Sequence, residues 1–172
     1  AGRMLFDRAG ARPRPIPFYG ELGSLNPVVV TRAAWEARGN AVLEGFAASM
    51  TLGLGQFCTK PGLLLLPAEA LERAAVSLPR LLDQPADASA MLTEGMRDGF
   101  VRSRDELSRD PSVRVLAGGP DDGTDRADGS AAPPAPTVLA VAAADLTADS
   151  PVLHDEMFGP AAVLISCASD DE

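Results

Sequence analysis

The sequence predicts an α/β fold: a mostly parallel sheet flanked by helices. Three observations carry this. Apolar runs of strand length occur at PVVV (27–30), GLLLLP (62–67), TVLAVAA (137–143) and AAVLIS (161–166). Segments with apolar residues at helical spacing lie between most of them. One pair of runs, VRVLAGG (113–119) and TVLAVAA, brackets a polar loop and reads as a single hairpin in an otherwise parallel layer.

In chain order, Ala1 to Ala9 reads as a short helix, with Arg3, Met4, Leu5 and Phe6 resembling the tail of a longer one. ARPRPIP then enforces extended backbone, because each Pro fixes its own φ and biases the residue before it away from the helix. IPFYGEL (16–22) alternates enough for a strand, and PVVV is β-branched and reads as a buried one. Thr31 can cap a short helix through Arg38, ended by Gly39. Asn40 starts a second helix with Val42, Leu43, Phe46, Met50 and Leu54 on one stripe, loosened at its end by Gly53 and Gly55.

GLLLLP is a strand. Ala68 to Leu82 is a helix with Leu71, Ala74, Ala75, Leu78 and Leu82 on its stripe, its last turn weakened by Pro79. Ser89 to Glu106 gives one or two further helices. Residues 120–136, PDDGTDRADGSAAPPAP, form a low-order surface loop with almost nothing apolar to pack. Residues 1–172 read as one domain. The start without Met and in mid-pattern reads as a piece of something longer.

Composition excludes several classes. The chain has 15 Lys+Arg against 24 Asp+Glu, a net charge of −9, with one Trp and one Tyr. That balance lacks the basic, aromatic-interleaved surface of a nucleic-acid binder and the polybasic face of a membrane-surface protein. The longest charge-free stretches, Gly45 to Thr59 and Gly129 to Ala144, fall short of the roughly 18 residues a spanning helix needs. The N-terminal residues carry arginines and no long apolar run, unlike a secretory signal. Two cysteines, Cys58 and Cys167, suit a reduced cytoplasmic protein better than a disulfide framework.

No metal site is expected, since one His and two distant Cys offer no ligand spacing. DDGTDRADG superficially resembles a calcium loop, but the spacing is wrong. No phosphate loop of the G-x-x-x-x-G-K-[ST] kind occurs. Gly53-Leu54-Gly55 lacks the third glycine of a dinucleotide fingerprint and follows a helix.

Cys58 is the remaining candidate. A cysteine among apolar neighbours is usually a buried small hydrophobe. This one sits in a Gly-rich bend before an apolar strand, where a thiol and backbone N–H groups can meet, as acyl transfer requires. Lys60 could lower the thiol pKa, although a solvated lysine is the plainer reading. Glu21, between Gly20 and Gly23, has room to approach a ligand, and a mainly apolar surround would raise it toward the range of a general base. Its plainer reading is an exposed strand-end Glu. Glu156, in a tight turn beside Phe158, is by the same measure a turn Glu. His154 could instead pair with Cys58 as a thiol hydrolase, although a polar turn residue is its plainer reading. Cys58 lacks the C-x₅-R spacing of a phosphatase. A non-catalytic domain is the third alternative.

Glu21-Leu22-Gly23-Ser24-Leu25-Asn26-Pro27, Gly55-Gln56-Phe57-Cys58 and Glu156-Met157-Phe158-Gly159-Pro160 resemble three signature motifs of the NAD(P)-dependent aldehyde dehydrogenases, in the family's order and with family-like gaps. ELGSLNP and GQFCTKPGLLLLP look most like the bacterial branch acting on 2-oxoglutarate semialdehyde. The resemblance covers the whole chain but only about the middle third of a full-length member.

It implies the catalytic domain of that fold, with the cofactor-binding domain upstream, and a homo-oligomeric parent. It makes Cys58 the nucleophile toward an aldehyde and Glu21 the base that activates the hydrolytic water. The backbone N–H of Cys58 would be one oxyanion donor. Glu156 and Phe158, with Leu22 and Gly23, would contact the NADP or NAD cofactor. Ser24 departs from the usual second glycine, as the named branch does. With upstream cofactor contacts absent, the chain alone is expected to be inactive. The reading requires a sulfur open toward the acid.

Overall fold

A computed structural model describes residues 2–83, 90–119 and 132–171. Its centre is one five-stranded sheet built from β1 (Pro27–Val29), β2 (Leu63–Pro67), β3 (Arg114–Ala117), β4 (Thr137–Ala142) and β5 (Ala161–Cys167), in the order β1-β2-β5-β4-β3. All neighbours are parallel except β3 with β4, which pair antiparallel. The expected layer with one hairpin is therefore the observed one.

Helices cover both faces. These are α2 (Arg32–Thr51), α3 (Leu71–Leu82) and α4 (Glu94–Ser108), while α1 (Gly2–Gly10) belongs to neither core cluster. On one face Leu64, Leu66, Val138, Ala140, Ala162 and Leu164 pack with Leu43, Phe46 and Met50 of α2 and Ala74 and Leu78 of α3. The alternate residues Leu63, Leu139, Val141, Ala161, Val163 and Ile165 pack with Phe100 and Leu107 of α4. A strand buried on both sides has no polar face, which is why these runs read as continuous apolar segments.

Several local expectations need correction. Residues 16–22 form no strand. Pro13 and Pro15 before the segment and Pro17 within it remove alternate ladder donors, so the segment has no register in which to pair. The strand at 27–30 is an edge: Pro27, Val28 and Val29 are exposed, and only Val30, beyond the strand, is buried. Pro at the first position of an edge strand costs no ladder bond.

The two helices expected around Gly39 join into α2, with a break at Arg38 (φ −153°, ψ 29°). Thr31 caps it, its hydroxyl accepting from the Ala34 amide at 3.3 Å. Pro79 does not end α3, which runs to Leu82 after a short 3₁₀ turn at Ala68–Ala70. The helix expected from Ser89 begins at Glu94, capped by Thr93; Ser89 itself lies outside the described residues. Most of the loop expected at 120–136 lies outside them too, and 132–136 has no regular structure.

Candidate functional site

The register places the three motif segments together. Pro27 is level with Leu63, and Leu63 with Val163. The stretches that lead into β1, β2 and β5 therefore arrive side by side at the amino ends of three adjacent parallel strands. The Gly62 amide donates to the Leu25 carbonyl at 2.8 Å, and the Val163 amide to the Gly62 carbonyl at 2.9 Å.

The Cys58 turn is built by backbone reversal. Gly53, Leu54 and Gly55 all have φ near +60° (55°, 54° and 65°), which unwinds the end of α2. Gly55 packs directly on the next motif: a Cβ there would lie 2.2 Å from the Gly159 carbonyl oxygen. The Lys60 amide then donates to the Phe57 carbonyl at 3.1 Å and closes a turn over Cys58. Cys58 is exposed and not in a disulfide, so it is not the buried hydrophobe that cysteines usually are.

Asn26 secures that turn. Its Nδ2 donates to the Cys58 carbonyl at 2.6 Å and to the Lys60 carbonyl at 3.0 Å. Its Oδ1 accepts from the Ser24 hydroxyl at 2.6 Å. Its φ of 45° is left-handed, a conformation that Asn tolerates better than most residues.

Lys60 overturns the solvated reading. It is 4% exposed. Its ammonium donates to the Met157 carbonyl at 3.0 Å and the Ala161 carbonyl at 2.7 Å. Burial pushes it from 10.5 down to about 8, against the opposing pull of the Glu156 carboxylate. Its ammonium thus bonds the third motif and the residue that follows it, not the Cys58 sulfur.

Glu156 is half-buried. Its Oε2 accepts from the Ser24 amide at 3.4 Å, and a Cβ at Gly23 would lie 3.3 Å from the same oxygen. Glycine at 23 thus lets the first motif lie against the carboxylate. With one long backbone contact, the carboxylate keeps acceptor capacity for hydroxyl groups of a ligand. Glu156 also borders an open cleft of about 300 Å³ shared with Ser103, Glu106, Asp110 and Asp155. Three further carboxylates make that cleft a poor place for a phosphate, so an anionic part of a ligand would have to lie elsewhere.

The remaining candidates are less engaged. Glu21 and Leu22 are exposed, and Glu21 follows no strand, so the apolar surround expected for it is not supplied by the described residues. Phe158 is half-buried, beside Gly159, whose Cα rests against the Phe100 ring. His154 is exposed and engages the Ala148 carbonyl through its ring Nε2, which gives the thiol-hydrolase pairing no support. Among the described residues no group of three or more His, Cys, Asp or Glu could hold a metal ion. No helix among them is long and apolar enough to cross a membrane. Sequence reasoning passed over Asn26 and misjudged Lys60. The signal for Asn26 was an Asn just before a Pro at a sharp entry to a strand; Lys60, followed by Pro61 and Gly62, carried no local signal.

Comparison with known proteins gives one consistent result. The model of the aldehyde dehydrogenase family matches residues 1–172. Alpha-ketoglutaric semialdehyde dehydrogenase 2 of Azospirillum brasilense is 40% identical over 99% of this chain and 31% of its own length. An alpha-ketoglutaric semialdehyde dehydrogenase of Acinetobacter baylyi is 33% identical with the same coverage. Among solved structures, an aldehyde dehydrogenase from Bartonella henselae aligns with a TM-score of 0.74 at 16% identity, over 99% of this chain and 35% of that one. Another from Pseudomonas syringae, a mutant in complex with NAD+ and octanal, aligns at 0.69 and 15% identity, over 85% of this chain and 30% of that one. The chain thus spans about a third of the length of these relatives.

Proposed function

We propose that this chain, which belongs to the aldehyde dehydrogenase family, carries the nucleophile and the base of an enzyme that oxidises an aldehyde to a carboxylic acid. The relatives' names point to a semialdehyde such as that of 2-oxoglutarate. The observation that supports the reading most is the convergence of the three motif segments at one end of three adjacent strands, with Cys58 exposed on its turn.

In this reading the Cys58 sulfur, as thiolate, attacks the aldehyde carbon, and the new C–S bond leaves a negative oxygen near the Cys58 backbone N–H. NAD(P)+, when bound, supplies the acceptor for the hydride whose loss leaves a thioester on Cys58. Glu21 takes a proton from the water that hydrolyses the thioester, and the thiol is regenerated. Its exposure in this chain leaves it free to swing toward that water. Glu156 receives hydroxyls of the cofactor's ribose, with Gly23, Leu22 and Phe158 around it. Cys58 and Cys167 are reduced in a cytoplasmic, homo-oligomeric enzyme.

The chain spans about a third of the relatives' length, so the test is made in a protein of that length. Cys58→Ser abolishes NAD(P)-dependent aldehyde oxidation. Glu21→Gln leaves a burst of NAD(P)H of about one per site but stalls the steady state, by roughly a hundredfold or more. Turnover retained by the Cys58 variant would remove the nucleophile, and an unchanged steady state in the Glu21 variant would remove the base.

A further inference from the structure

We propose that Lys60 is a positioning residue whose ammonium, held by the Met157 and Ala161 carbonyls, clamps the Glu156–Pro160 turn to the Cys58 turn and sets the Glu156 carboxylate for the cofactor's hydroxyls. The inference rests on the dehydrogenase reading and deepens it.

Lys60 is two residues from Cys58 in sequence but reaches across to a segment about a hundred residues away, with bonds of 3.0 and 2.7 Å. Those two carbonyls flank Phe158, Gly159 and Pro160. At the other side of the same contact, Gly55 lies so close to Gly159 that no side chain would fit. The turns are thus registered at two points, one by close packing and one by the lysine.

The choice of a lysine is itself informative. A charged side chain on a residue only 4% exposed is costly, and a neutral one could fill the same space without that cost. What the charge adds is an attraction to Glu156, whose carboxylate borders the same narrow crevice as Lys60 and Ser24. Apart from that attraction, Glu156 is held by one amide at 3.4 Å, a weak tether for a residue that must meet two hydroxyls at fixed distance.

The Cys58 turn does not depend on the lysine head group. Asn26 holds the carbonyls of Cys58 and Lys60 from the opposite side. Removing the ammonium therefore frees the Glu156 turn while leaving the nucleophile's turn tied. That asymmetry distinguishes positioning of the cofactor contact from general loss of structure.

The experiment compares Lys60→Met and Lys60→Arg with the unaltered protein, at the relatives' full length. Dissociation constants for NAD+ and NADP+ are read directly by titration, alongside the KM for cofactor, the KM for aldehyde and the alkylation rate of Cys58. In Lys60→Met the cofactor constants rise about tenfold, the size expected for losing a charge-assisted contact. The aldehyde KM and the alkylation rate stay within about twofold, and Lys60→Arg recovers most of the loss.

Cofactor constants within twofold of the unaltered protein overturn the proposal. So do equal changes in all four readouts, or an Arg variant no better than Met. If the Met variant fails to fold, Lys60→Gln against Lys60→Arg decides on the same terms, the neutral variant binding cofactor more weakly. An unaltered protein that oxidises no aldehyde sinks the dehydrogenase reading instead, and is told apart by that control.

Discussion

Burying Lys60 makes a stability prediction with a defined sign. Its folded-state value is near 8 against 10.5 when solvated, so the folded state disfavours the proton. Below pH 8 the lysine is charged in both states and the full penalty of burying it is present. Between pH 8 and 10.5 the unfolded chain holds more protons than the folded one, and stability rises with pH. At about 1.4 kcal/mol per unit, the interval corresponds to about 3 kcal/mol. The perturbation is Lys60→Met, which has no titrating group. The assay is denaturant unfolding of both proteins from about pH 7 to about pH 10.5. Their difference cancels the other groups that titrate in this range. The unaltered protein gains most of that 3 kcal/mol relative to the variant. At neutral pH the two lie closer together than either effect alone implies, because the variant sheds the buried charge but leaves two carbonyls without their donor. A difference that stays flat with pH refutes the burial argument, and one that falls refutes its sign.

Three further outcomes follow from the contacts around the turns. Asn26→Asp replaces the donor to the Cys58 and Lys60 carbonyls with an acceptor; alkylation of Cys58 and single-turnover oxidation change by roughly tenfold or more, while cofactor binding is spared. Gly55→Ala combines φ +65° with a Cβ 2.2 Å from a backbone oxygen; it lowers unfolding free energy by about 2 kcal/mol or more, read from the denaturation midpoint. Gly23→Ala has no such backbone strain but crowds Glu156 Oε2 at 3.3 Å; cofactor KM rises a few-fold while the melting temperature moves little.

The layered fold was legible because its strands are buried on both faces. A run such as Leu63 to Leu66 must be apolar at every position when α2 and α3 cover one side and α4 the other. Where burial is one-sided or absent, the pattern misleads. Val28 and Val29 are β-branched, yet they lie on an edge where nothing described covers them. Residues 16–22 alternate, yet the prolines before and within them deny the segment a ladder. The three motifs were legible as motifs, but their joints were not. A lysine beside a proline gives no local sign of burial; only the register of β2 on β5 brings Met157 and Ala161 within its reach. Composition likewise cannot show that Glu21 lies exposed rather than in an apolar pocket.

The strand register also fixes where the three motif segments sit in the sheet. In open α/β sheets ligands commonly occupy the carboxyl ends of the strands, at a reversal of strand order. Here all three motif segments precede their strands. The reason lies in the lengths of the connections. After β1 and after β2 the chain enters a helix almost at once, at Arg32 and at Leu71, leaving little loop at the carboxyl ends. The approaches to the strands are long by comparison: residues 11–26 precede β1, 52–62 precede β2 and 143–160 precede β5. Such segments can reverse direction, as Asn26, Gly53, Leu54 and Gly55 do with positive φ, and can present backbone groups to one another. Because Pro27, Leu63 and Val163 are level, one more or one fewer residue between a motif and its strand would move that motif by about 3.3 Å and turn its side chains to the opposite face. The constellation is therefore fixed by strand register, and on the proposed function substitutions that slip β2 against β5 are expected to abolish aldehyde oxidation, measured as NAD(P)H formation, without touching Cys58, Glu21 or Glu156.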